Sequence, residues 1–175
     1  MRPRSLRRAR QCTHRTRRWA AAALAASALL VAGPSWSANT CTVAAQTHAF
    51  GAYNTIASTS GTSSITVTCS HSASPAATFP YSIALSAGPG SFASRQMTGT
   101  GDTLSYNLYT TLAHTTVWGD GSAGTATVSG SFTVPSGSGN SGSQVQTVYG
   151  LIGAPQNVRP GNYSTATSIT VTVSY

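Results

Sequence analysis

The sequence predicts an all-β protein in which antiparallel sheets pack face to face as a sandwich. Three observations predict this fold class. Glu and Lys are absent from the chain, whereas Thr, Ser, Val and Tyr are common, a composition that favours strands over helices. Several short segments alternate apolar and polar residues with a period of two, and breaks rich in Gly, Pro and Ser separate them, as expected for many short strands.

The N-terminus is predicted to be a secretory signal peptide. Eight arginines lie within the first 18 residues, an apolar run follows over residues 19–32, and small residues flank Trp36. This is the order of a signal, and we place cleavage after Ser37 because cleavage after Ala38 would put the large Trp36 at position −3. A membrane anchor is the alternative, but the apolar run is shorter than the roughly 20 residues that a spanning helix needs. We therefore expect residues 1–37 to be removed and residues 38–175 to form one domain.

The remaining chain is almost uncharged. Its only charged side chains are Arg95, Arg159, Asp102 and Asp120, which sum to zero. Binding to nucleic acid requires several cations that neutralise phosphates, so the basic character of the whole chain does not indicate a nucleic-acid-binding protein. The same charge balance argues against electrostatic attraction to a membrane surface.

The cysteines indicate an oxidising compartment. Cys12 lies in the predicted signal, which leaves Cys41 and Cys69. A pair in an exported chain is expected to form a disulfide. A metal or redox pair is the alternative, but the chain has no Cys-x-x-Cys spacing.

The strands are expected in six segments, and the last has the most regular alternation. They are residues 64–69, 81–85, 104–108, 128–134, 144–152 and 169–175. Breaks at residues 87–90, 119–121 and 135–142 predict loops. The final strand is expected to reach Tyr175 and to form an uncharged sheet edge, which a strand from elsewhere is able to extend.

An ordered set of motifs runs along the chain after the predicted signal. The motifs are Cys41-Thr42-Val43, Phe50-Gly51-Ala52-Tyr53, Ile65-Thr66-Val67-Thr68-Cys69, Tyr81-Ser82-Ile83-Ala84-Leu85-Ser86-Ala87-Gly88, Arg95-Gln96-Met97, Leu104-Ser105-Tyr106-Asn107-Leu108-Tyr109, Trp118-Gly119-Asp120-Gly121, Val148-Tyr149-Gly150 and Gly161-Asn162-Tyr163. Together they resemble the spore coat protein U domain family, which includes pilin subunits of archaic chaperone–usher pili. The resemblance covers essentially all of the chain after the predicted signal.

The resemblance implies an immunoglobulin-like sandwich that lacks its final strand and so has an open hydrophobic groove. A periplasmic chaperone would fill the groove first, and the N-terminal extension of another pilin subunit would replace it at an outer-membrane usher. We expect the first and last strands to line the groove, although each candidate residue is equally compatible with an ordinary core position. The candidates are Val43, Phe50, Ile169, Val171, Val173 and Tyr175.

One departure from the family pattern concerns the donor segment. Only Ala38-Asn39-Thr40 would precede Cys41 after cleavage, and a strand needs about five residues. We therefore expect a subunit that accepts a strand but offers none, either at the end of a fibre or in a coat that does not polymerise.

No catalytic, cofactor-binding or metal site is predicted. Asp102 and Asp120 each lie beside glycine in a predicted turn, and no Gly-x-Ser-x-Gly motif is present. His48, His71 and His114 are widely spaced and are expected to be polar surface residues. We expect a core or loop-anchoring position for Trp118, with sugar stacking as the alternative.

The competing functions are a complete, secreted carbohydrate-binding module and, with less support, a small exported hydrolase.

Overall fold

Alternation of apolar and polar side chains produces eight strands in the computed structural model, which describes residues 39–72, 74–137 and 139–175. The described residues contain no helix. The strands are β1 (Thr40–Ala45), β2 (Thr59–His71), β3 (Ala77–Leu85), β4 (Arg95–Gly99), β5 (Asp102–Tyr109), β6 (Val128–Val134), β7 (Asn140–Ile152) and β8 (Val171–Ser174).

The strands form two antiparallel sheets. The larger has five strands in the order β1-β2-β7-β5-β4, and the smaller has three in the order β6-β3-β8. Some paired strands are consecutive in the chain, such as β1 and β2, but the long strand β2 also pairs with the distant β7 along its whole length. The sandwich-like all-β fold predicted from the alternation is confirmed.

The core lies between the sheets because one face of each strand carries the apolar residues. Ile65, Val67 and Cys69 of β2 are at most 2% exposed, and so are Ile83 and Leu85 of β3. The intervening residues of these strands are polar or small and more exposed. The period of two therefore translates directly into an inner and an outer face.

The predicted disulfide is confirmed. Cys41 of β1 and Cys69 of β2 are bonded to each other, and they are direct partners in the antiparallel register. The bond ties β1, the edge strand of the larger sheet, to its neighbour β2.

Several strand boundaries differ from the predictions, and β2 and β3, for example, begin at Thr59 and Ala77 instead of residues 64 and 81. The last strand is β8, which starts at Val171 and ends at Ser174, so Tyr175 lies outside it. The loop predicted over residues 135–142 is shorter, since β7 already begins at Asn140 by pairing with His71 of β2. Strand β4 was not predicted, because its five residues include only one large apolar side chain.

The predicted signal peptide and its cleavage site at Ser37 and Ala38 lie outside the described residues. Within the described part of the chain, no helix is long and apolar enough to span a membrane.

Candidate functional site

The first and last strands are both sheet edges. Within the described residues, β1 pairs only with β2, and β8 pairs only with β3. Neither strand contains a charged residue or a proline, the devices that usually protect an edge from pairing with another chain. Each edge therefore presents free backbone N–H and C=O groups.

The inner faces of these two edge strands are incompletely covered. Val43 of β1 lies opposite Val67, yet Val43 is 42% exposed while Val67 is 0% exposed. On β8, Val171 and Val173 lie opposite Leu85 and Ile83. Both valines are only partly buried, although their partners are buried fully. The side chains that should complete the core at this side of the sandwich are thus left in contact with solvent.

A cavity of about 290 Å³ lies between the end of β1 and the start of β8. Ala45 and residues 46–48 line it on one side, and Ile169 and Val171 line it on the other. Core residues of both sheets also line it, namely Ile65, Leu85, Tyr106, Leu108 and Val148. We call this cavity and the adjoining inner faces of β1 and β8 the edge groove.

Residues 46–50 leave β1 and cross the inner face of the larger sheet, and we call them the strap. The strap lies on a pair of glycines, Gly61 of β2 and Gly150 of β7, which are direct partners in the register. A Cβ atom at Gly61 would come within 2.7 Å of the Ala49 carbonyl oxygen, and one at Gly150 would overlap the His48 ring. Absence of side chains at both positions is therefore what lets the strap approach the sheet so closely.

A second, larger cavity of about 970 Å³ lies on the other side of the strap. Thr47 and His48 line both cavities. Phe50 lines only the larger one, where its ring packs edge-on against Tyr106 at 5.5 Å between ring centroids. The strap therefore lies between the two cavities, while its Phe50 side chain packs against the hydrophobic core.

The six groove candidates are distributed along this region in different ways. Ile169 and Val171 line the edge-groove cavity. Val43 and Val173 occupy inward positions of β1 and β8 beyond it, and Tyr175 is 61% exposed at the chain end. Phe50 does not lie on the first strand as expected, because the chain leaves the sheet after Ala45 and crosses over the glycine pair.

Asp120 lies in a turn, as predicted, whereas Asp102 directly follows a turn as the first residue of β5. The Asp120 carboxylate accepts hydrogen bonds from the backbone N–H and the hydroxyl of Ser122, and these bonds lower the pKa of Asp120. Asp102 begins β5, accepts a hydrogen bond from the Arg159 backbone N–H at 2.7 Å and pairs with the Arg159 guanidinium at 3.6 Å. Both carboxylates therefore make hydrogen bonds that stabilise the local fold.

The histidines lie in different environments, and the surface interpretation was wrong for His71. The His71 ring is 7% exposed, with Nδ1 at 2.8 Å from the Asn39 Oδ1 and Nε2 at 3.0 Å from the Pro75 carbonyl oxygen. His48 Nδ1 contacts the Ser63 hydroxyl at 2.9 Å, and burial lowers the pKa of His48. Among the described residues, no three His, Cys, Asp or Glu side chains form a group suited to a metal ion.

Trp118 is a core residue. Its side chain is 0% exposed, and its indole N–H donates a hydrogen bond of 2.9 Å to the Ile83 carbonyl oxygen. The predicted anchoring position is confirmed, and the ring is not available for stacking on a sugar.

Arg95 is a buried residue whose environment the sequence did not reveal. Its guanidinium is 0% exposed and donates to the Asn107 side-chain oxygen and to the carbonyl oxygens of Ser86 and Trp118. Phe92 lies 5.4 Å from it in a cation–π arrangement. The residue joins β4, β5 and two loops at the end of the sandwich.

Comparison with known proteins gives one informative match. The family model described as Spore Coat Protein U domain matches residues 25–172, which is most of the chain. No curated protein matches the chain.

Proposed function

The chain belongs to the spore coat protein U domain family, and we propose that it is a surface structural subunit completed by a strand from another chain. Family membership supports a surface or fimbrial subunit and not an enzyme. The finer proposal is that the edge groove accepts an extended donor strand, as in pilus subunits assembled by donor-strand complementation.

The observation that carries this proposal is the exposure of inward-facing apolar residues on both edge strands. Val43 is 42% exposed although it faces the core side of the larger sheet. A strand inserted between β1 and β8 would cover it together with Val171 and Val173, and would pair with the free edges. Main-chain hydrogen bonds would then provide affinity, and alternate side chains entering the groove would provide selectivity.

The proposed partners follow from this geometry. A groove of this kind requires temporary cover during export, which a periplasmic pilus chaperone supplies, and final cover by another subunit at an outer-membrane usher. The subunit would then pass through the periplasm to the cell surface as part of a pilus or coat. The near absence of charge on the described residues permits such close association of copies without electrostatic repulsion.

Terminal placement in a fibre remains a separate prediction. It depends on cleavage after Ser37, which would leave too few residues ahead of Cys41 to donate a strand. Sequencing of the mature N-terminus tests it, and a mature chain starting upstream of Arg15 would contradict it.

The experiment that tests groove function compares the purified exported chain with and without a strand peptide. The peptide has about eight residues that alternate Val and Thr, and a scrambled peptide of equal composition is the control. We expect the melting temperature of the chain to rise sharply with the alternating peptide alone. A substitution of Val173→Asp, which places a charge in the groove, should abolish the rise.

Thr172→Asp is the matched control, since Thr172 lies on the outer face of the same strand. It should leave the peptide response intact. A chain that melts as a stable monomer and ignores both peptides would contradict the proposal and would favour a domain complete in itself.

A further inference from the structure

The strap packs tightly against the larger sheet at the glycine pair. Gly61 and Gly150 are cross-strand partners, and a side chain on either would collide with the strap. The cavities on both sides of the strap leave it without the continuous packing that fixes a core segment. Its contacts with the sheets include the hydrogen bond from the Gln46 backbone N–H to the Ser64 carbonyl oxygen at 2.9 Å, the packing of Phe50 on Tyr106, and the contacts of His48.

His48 has one satisfied and one unsatisfied ring nitrogen. Nδ1 lies 2.9 Å from the Ser63 hydroxyl, whereas Nε2 is buried against the glycine pair and has no hydrogen-bond partner among the described residues. The ring also packs edge-on against Phe50, with 4.6 Å between centroids. A neutral imidazole tolerates this arrangement better than an imidazolium, since both nitrogens of an imidazolium carry a proton that needs an acceptor.

Among the described residues, no Asp or Glu lines either of the two cavities beside His48. Strands β2 and β7 present Gly61, Ser63 and Gly150 to the ring. The titratable or charged residues that line the two adjoining cavities are Tyr106 in the smaller one and Tyr53, Tyr163 and Arg159 in the larger one. None of these is an acid that could pair with an imidazolium, and the Arg159 guanidinium is already paired with Asp102 at 3.6 Å.

We propose that the strap is a pH-controlled wall of the edge groove, seated while His48 is neutral and released when His48 is protonated. This inference depends on the proposed function of the groove. Because residues 46–48 form one side of the cavity, release removes contacts that an inserted strand would make there. Strand binding should accordingly weaken in acid. The lowering of the His48 pKa by burial agrees with a seated state that disfavours the proton.

Proton linkage sets the size of the effect. His48 in the released strap has an ordinary pKa of about 6.5, and the seated state has a lower one. Between these two values, each unit of pH decrease shifts the equilibrium towards release by up to about tenfold. The effect is absent above the ordinary value, where both states are neutral.

The first experiment uses the free exported chain and needs no partner. Amide hydrogen exchange of residues 46–50, corrected for the intrinsic pH dependence of exchange, is measured at about pH 8 and about pH 5. We expect strap protection to fall at the acidic pH in the wild type and to stay constant in His48→Gln. His114→Gln is the matched control, because His114 also has a buried, unpartnered Nε2 but lines neither cavity.

A second pair of variants separates the effect of the charge on His48 from the effect of the position of the strap. Gly150→Ala should displace the ring at any pH and reproduce the acidic state at about pH 8. Gly153→Ala is its control, since a Cβ there meets nothing within 4 Å. Affinity for the alternating Val/Thr peptide is then measured on the same proteins, and we expect it to follow strap protection.

The outcomes are distinct. The proposal of a pH-controlled wall is overturned if the amide protection of the strap in the wild type does not change with pH. It is also overturned if His48→Gln loses as much protection in acid as the wild type does. Strap release in acid with peptide affinity unchanged also overturns it, since the strap would then not belong to the binding site. Failure of the peptide to bind at either pH overturns the proposed function of the groove and, with it, the strap's role as its wall.

Discussion

Replacing Arg95 by methionine removes a buried guanidinium that no carboxylate neutralises among the described residues. The Ser86 and Trp118 carbonyl oxygens accept hydrogen bonds from Arg95 Nη2 at 2.9 and 2.7 Å, and both would lose this donor. The Asn107 side-chain oxygen would retain the backbone N–H of Leu108 at 3.0 Å. The substitution therefore leaves the buried Trp118 carbonyl and the partly buried Ser86 carbonyl without this donor.

The expected loss in the free energy of unfolding follows from these two carbonyl groups. A buried acceptor that loses its partner costs about 1–3 kcal/mol, so two cost roughly 2–6 kcal/mol. Relief of the desolvation of a buried charge reduces the upper end. We expect Arg95→Met to lower the free energy of unfolding by about 2–4 kcal/mol.

Urea unfolding of the oxidised chain with saturating strand peptide measures this change by linear extrapolation. Arg159→Met is the matched control, because the Arg159 side chain is 70% exposed and makes one ion pair with Asp102, worth at most about 1 kcal/mol. Equal midpoints for the two variants would refute the reasoning. If Arg95→Met does not fold, Arg95→Lys keeps the charge without the planar fork and should fall between that variant and the wild type.

The remaining predictions concern the disulfide, the core tryptophan and the effect of pH on stability. Replacing both Cys41 and Cys69 by serine should cost about 3.5 kcal/mol by loop-closure entropy for their separation of 28 residues, and a loss below about 1 kcal/mol in urea unfolding would contradict the loop-closure estimate. Trp118→Phe should cost about 1–3 kcal/mol by leaving the Ile83 carbonyl without its indole donor, and an unchanged melting temperature would contradict this. Since burial lowers the pKa of folded His48, its contribution to stability is complete above the unfolded value of about 6.5 and is lost as the pH falls towards the folded value. Urea midpoints measured across this range should show that loss in the wild type and not in His48→Gln, and parallel pH profiles would count against it.

Much of the fold follows from local patterns. The alternation of Ile65, Val67 and Cys69 identifies a strand with one buried face without any knowledge of its neighbours. The pairing of the only two cysteines beyond the predicted signal required only the compartment. Family-like motifs pointed to an edge groove, and the structure brings the ends of β1 and β8 to a common cavity.

Other features of the site depend on distant parts of the chain. Phe50 was expected on the first strand, but no local pattern shows that the chain turns inward after Ala45 to cross Gly61 and Gly150. Arg95 carries a charge and would be expected at the surface. Its burial depends on oxygens from Ser86 and Trp118, which only the folded chain brings together.

Local sequence patterns predicted six of the eight strands, the buried face of each strand with regular alternation, and the nearly uncharged character of the chain after its predicted signal. These properties depend on neighbouring residues and on composition, so they are readable before folding. The folded structure was needed to show where the chain leaves the first strand, that two glycines from separate strands hold the strap, and that a charged side chain is buried in the core. Those properties depend on register and packing between segments far apart in sequence, and local periodicity does not encode them.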